Sequence, residues 1–123
     1  MPLIDLEIVV PSHAEPPGAA AVAALADALA RVFGSAPGHT WLRVRQLDRA
    51  AYAENGTLLS DAELPVFATV LHAHPPLGAA LEAEVAALTL ALADALRRPA
   101  DRVHVQYAPA AAARQAFGGT LVR

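Results

Sequence analysis

The sequence has no cysteine among its 123 residues, which excludes a disulfide framework and any thiolate metal site. Aromatic residues are scarce, 5% against 55% hydrophobic, so alanine, leucine and valine must build the core of a single domain. Excess basic charge is missing too. The net charge is −3 and the pI is near 5.9, which argues against nucleic acid as the main partner. The long alanine-rich stretches all carry Asp, Glu or Arg, so none reads as a transmembrane helix and no membrane partner is expected. The apolar start lacks a basic n-region and contains Asp5 and Glu7, so no signal peptide is read there. A cytoplasmic protein is the expectation.

What is present is a repeated pattern. Residues 3–10 are rich in Ile, Leu and Val and alternate in part, which predicts a strand. The loop 11–18 holds three prolines and a glycine. Val22, Leu25, Leu29, Val32 and Phe33 then fall at helical spacing, and Gly34 supplies the stop. A second strand is predicted over 40–48. Residues 49–64 are the least regular and read as a loop or short hairpin around the Asn55-Gly56 turn. Pro65 opens a third strand, read from Val66 to about His74, where Pro75-Pro76 breaks it. Gly78 precedes a long helix to about Arg98 with the stripe Leu81, Val85, Leu88, Leu92 and Leu96. Arg97 and Arg98 would complement its C-terminal dipole. A fourth strand is predicted over 102–108, a helical turn over 109–116 and a terminal strand over 117–123.

The order is strand–helix–strand twice, with Pro2 and Pro65 opening the first strands and Pro37 and Pro99 preceding the second. The predicted fold is therefore α/β (α+β). One domain, 1–123, has pseudo-repeat halves of about 1–48 and 65–108. Each half is a βαβ unit with parallel strands and a right-handed crossover, so both helices cover one face of a four-stranded mixed sheet. Strand parity groups Trp41, Arg43 and Arg45, Asp5 with Glu7, His72 with His74, and His104 with Gln106. The face away from the helices would then be lined with charge and imidazole. It could stand in water or turn inward in a symmetric ring of sheets.

Pro2 follows the initiator methionine. Trimming would leave a secondary amine whose pKa, about 7.7–8.0 when unperturbed, desolvation lowers further. Such a group can act as a general base near neutral pH, although prolines at this position are common without any such role. Arg43 and Arg45 suit bidentate carboxylate recognition or ion pairs with Asp5 or Glu7; for Arg45 the ion pair is preferred. His72 and His74 could share a metal with His104, but without an acidic or thiolate companion they read as pocket or face residues. Tyr107 could equally be core packing with a satisfied hydroxyl, and His13 carries no pattern.

With Pro2 on a strand, two βαβ halves and a short tail, the whole chain resembles the tautomerase superfamily. Leu96 to Tyr107 resembles the approach to the fourth strand of macrophage migration inhibitory factor. Phe33 to Val44 resembles the same region of malonate semialdehyde decarboxylase and 4-oxalocrotonate tautomerase. The resemblance implies a homotrimer, with Pro2 at the bottom of a pocket shared between neighbours. It also implies an isomerase that moves a keto–enol proton on a small 2-keto or enol carboxylic acid through the proline amine, with no cofactor or metal. It places Arg43 at a carboxylate-binding position, His104, Gln106 and Tyr107 on a strand lent to a neighbour's pocket, and Phe117 near an aromatic wall. It makes His39 a candidate acid or substrate contact, while His72, read as lining a pocket, is a further candidate substrate contact. The decarboxylase has an acid near the position of His39 and paired arginines near those of His72 and His74. Their absence counts against decarboxylase and dehalogenase activity. The lysine that macrophage migration inhibitory factor places after its first helix falls close to Ser35. A decarboxylase or hydratase using a cationic Pro2, and a binding or scaffold trimer, are the alternative expectations.

Overall fold

Alternation decides the first strand: Ile4, Leu6, Ile8 and Val10 are buried on one side of Leu3–Val10, while Leu3, Asp5 and Glu7 stand half-exposed on the other. The computed structural model describes residues 2–123; Met1, and with it the expected methionine removal, lies outside the described residues. Along the chain follow β1 (Leu3–Val10), α1 (Ala19–Phe33), β2 (Trp41–Asp48), β3 (Val66–Leu71), α2 (Gly78–Leu96), β4 (Val103–Tyr107), β5 (Ala116–Phe117) and β6 (Thr120–Leu121). The main sheet runs β2-β1-β3-β4. β1 is parallel to β2, β3 is parallel to β4, and the halves meet through antiparallel β1 and β3. The mixed four-stranded sheet with two helices on one face is thus as the sequence predicts.

The helices cover the even-numbered side of β1 and β3. Leu25 and Leu29 of α1 and Leu88, Leu92 and Ala93 of α2 join Ile4, Leu6, Ile8, Val66, Ala68, Val70 and Val103 in one core. Gly34 closes α1 with φ of 64°, a conformation that a side chain would strain. α2 has no glycine there and ends on Arg97 itself, at φ of 54°. Arg98 does not serve the helix dipole either. Its guanidinium donates to the Leu64 carbonyl and, at 2.9 Å, to the Val9 carbonyl, pinning the helix end to the sheet.

Three sequence expectations change. β3 stops at Leu71 rather than near His74, because the backbone there finds partners outside the ladder. The His74 N–H donates to His72 Nδ1 at 3.0 Å, and the His72 and Ala73 carbonyls accept from Ala111 and Ala112 of the tail. Residues 109–115 form bends and turns and not a helical segment, with Ala113 at φ of 61°, and Ala116 already belongs to β5. The terminal strand pairs with its own neighbour, β5 against β6 across Gly118-Gly119, and does not extend the main sheet. Between β2 and β3, Asn55-Gly56 makes the expected tight turn, closing a bridge between Glu54 and Thr57.

Candidate functional site

Pro2 precedes β1 and is buried, and its carbonyl accepts the Trp41 N–H at 3.0 Å. The ladders begin at Leu3, opposite Trp41 on one side and Leu71 on the other. One further step puts Pro2 between Thr40 and His72, with its ring on the helix side by parity with Ile4. The paired ladder itself ends at Leu3–Leu71, so His72 is the first residue of its segment beyond that pair, next to the head of β1.

His72 is fixed from several directions. Its ring lies tilted against Phe33, the last residue of α1, with centroids 6.2 Å apart. Its Nδ1 accepts from the His74 N–H, and its carbonyl accepts from the Ala111 N–H at 2.9 Å. An Nδ1 that accepts carries no proton, so this geometry is that of a neutral ring with the proton on Nε2. Burial pushes the His72 pKa below the ordinary histidine value, while the Glu84 carboxylate on α2 pulls in the other direction. Glu84 in turn accepts a hydrogen bond from the Tyr107 hydroxyl on β4. Burial and this carboxylate push Tyr107 well above the usual tyrosine range, so it stays a phenol. At the other flank of Pro2, Thr40 Oγ1 donates to Ser35 Oγ at 2.7 Å.

The expected site residues therefore divide between two faces. Pro2, His72 and Tyr107 share the helix side. Arg43, His104 and Gln106 share the opposite, open side, where His72 was expected but does not stand, because even-numbered residues of β3 face the helices. On the open side Arg43 forks onto Asp5, Nε to Oδ1 at 2.6 Å and Nη2 to Oδ2 at 2.7 Å. That bond holds the Asp5 carboxyl below its ordinary value. Gln106 donates to Thr69 at 2.9 Å, and His104 stacks near Phe67 at 5.4 Å. Phe117 meets Trp41 edge-on at 4.5 Å, while the Trp41 indole donates to the Gly38 carbonyl at 2.9 Å. His39 is exposed in the turn before β2. His74 reaches the Arg123 carbonyl with Nε2 at 3.0 Å. His72 and His104 stand on opposite faces, so the chain does not bring His72, His74 and His104 together. Among the described residues no group of three or more His, Cys, Asp or Glu is gathered for a metal.

Sequence reasoning missed Glu84. The signal was there: it stands three residues after Leu81 and four before Leu88, a charge set into the apolar stripe of α2. The cation inventory is also uneven. The chain has no lysine, and all nine basic residues are arginine. Arg43, Arg49 and Arg102 are paired with Asp5, Asp61 and Glu54 on or near the open side and its loop.

The architecture is a βαβ pseudo-repeat subunit with a buried proline at the head of its first strand. It is the β-α-β fold of several solved structures. A fused 4-OT wild type, solved as an asymmetric trimer, superposes with a TM-score of 0.72 at 20% identity over 95% of this chain and 94% of its own. Macrophage migration inhibitory factor from Oncomelania hupensis gives 0.73 at 20% identity over 99% and 82%. Malonate semialdehyde decarboxylase gives 0.67 at 21% identity over 94% and 90%. By sequence, no family model and no curated protein matches the chain. Among the described residues, no helix is long and apolar enough to cross a membrane.

Proposed function

We propose that the protein is a tautomerase in which Pro2, freed by methionine removal, takes a proton from carbon and returns it elsewhere on a small 2-keto or enol carboxylic acid. The observation that carries this reading is the position of Pro2: buried, at the head of β1, on the fold shared with fused 4-OT and macrophage migration inhibitory factor. Burial favours the neutral amine, which is the form a base needs near pH 7. The same reading makes the working unit a homotrimer, in which the open faces meet and each pocket draws on a neighbour. Arg43 lies on the face opposite the Pro2 ring and is held by Asp5, so its carboxylate-binding role belongs to a pocket across a subunit boundary. The same reading assigns His104, Gln106 and Phe117 to that use, and His39 to the pocket rim.

The test is ketonisation of phenylenolpyruvate and 2-hydroxymuconate by the wild type and Pro2→Ala, with the intact mass of each sample confirming loss of Met1. Turnover that collapses in the variant supports the reading. Absence of turnover in a correctly trimmed wild type overturns it and favours a binding trimer. A rate that rises as the pH falls would point to a protonated Pro2 and to decarboxylase or hydratase chemistry.

A further inference from the structure

We infer that His72, as a neutral imidazole donating from Nε2–H, is the group that holds the carbonyl oxygen of the substrate beside Pro2. The inference rests on the tautomerase reading and adds to it the electrophilic partner of the base.

Proton removal from the carbon next to a carbonyl puts negative charge on the carbonyl oxygen, and that charge must meet a donor already in place. The helix side offers few. Thr40 donates to Ser35, whose own hydroxyl keeps its proton but sits in the loop after α1, and the Tyr107 hydroxyl is spent on Glu84. Arg43 stands on the far face. His72 is different. Its Nδ1 is filled by the His74 N–H, which fixes the tautomer, and its Nε2 makes no hydrogen bond within the subunit among the described residues. Its ring is set by Phe33, and its backbone by the tail at Ala111. It is the first residue after Leu71, whose ladder partner Leu3 directly follows Pro2. A donor held this firmly needs no reorganisation when the charge appears.

The groups packed around the ring account for its state. From α1 comes only the Phe33 ring; from α2, the Glu84 carboxylate; from the turn after β3, His74; and from β4, Tyr107, acting through Glu84; after methionine removal the Pro2 amine would join them. Glu84 alone would favour the imidazolium. The Tyr107 hydroxyl disperses its charge, and burial then prevails. A neutral ring also suits a neutral proline: an imidazolium next to Pro2 would depress the basicity that the reaction uses. Glu84 and Tyr107 are thus positioning residues that act through His72.

The experiment pairs kinetics with ring nitrogen-15 NMR on the full, trimmed chain. In the wild type at pH 7, the His72 resonances should be those of a neutral ring protonated at Nε2. His72→Ala should lower kcat about 100-fold with a smaller change in KM, the size expected for loss of one oxyanion donor. His72→Gln, which can still donate an N–H, should recover part of that loss. Tyr107→Phe should raise the His72 pKa and Glu84→Gln should lower it, each read by titration. Should His72→Ala leave kcat unchanged while Pro2→Ala abolishes turnover, the inference falls and the tautomerase reading stands. A cationic ring or an Nδ1–H tautomer at pH 7 overturns it equally. Absence of any Pro2-dependent turnover removes both.

Discussion

Asp5 and Glu84 are both carboxylates with one strong partner, yet the two sides of the sheet use them in opposite ways. Asp5 meets a guanidinium, so its charge is cancelled in place, on a face where the Arg43 side chain remains 63% exposed. Glu84 meets a phenol, so its charge is only dispersed, between an apolar helix stripe and a half-buried imidazole. On the open side the Asp5 charge is thus already matched, whereas the helix side holds groups whose protonation depends on the packing above them. Reactive chemistry belongs with the second arrangement, because only there can a small change in surroundings move a proton.

The contrast can be broken most severely from the core. Leu88→Ala should cost about 2–5 kcal/mol in urea unfolding, since it opens a cavity beneath α2. A smaller effect is expected from pH on the wild type. The folded-state pKa of His72 lies below its unfolded value, so its contribution to stability is complete above about pH 6.5 and is lost as pH falls toward the lowered value. Thermal melts across pH 5 to 7.5 should show that slope, and His72→Gln should flatten it. Asp5 behaves in the opposite range: its lowered pKa gives a contribution present above about pH 4 that disappears on further acidification, and Arg43→Ala should remove it. At neutral pH Arg43→Ala should leave the melting temperature almost unmoved, because exposed ion pairs contribute little and salt screens them. Arg45→Ala, on the same face, should be smaller still. A large loss of stability in either arginine variant would show that the open face is buried against another subunit.

Strand and helix identities were legible because their apolar periods differ, two in β1 and close to 3.6 in α1 and α2. The Gly34 stop was legible because glycine tolerates its backbone angle; the stop at Arg97 was not, since tertiary packing and the Arg98 anchor override local preference there. The division of the site turned on where one strand ends. Grouping His72 with the open-side residues assumed a common register, whereas the observed pairing puts even positions of β3 over the core, and the tail draws the chain out of the ladder after Leu71. Long-range partners such as Tyr107 with Glu84 join elements 23 residues apart, and no local pattern signals them. The partner that Arg43 takes within the chain, Asp5, lies 38 residues away on the parallel neighbour strand, and no local pattern signals that either.

The guanidinium-only cation set has a practical corollary. Guanidinium groups do not react with aldehydes under reductive conditions or with activated esters as aliphatic amines do, and the chain has no lysine to compete. A chain trimmed to Pro2 would thus present a single aliphatic amine, and ordinary amine labelling becomes site-selective without any engineered tag. The labelling rate as a function of pH would then titrate that one nitrogen directly, in the absence of substrate.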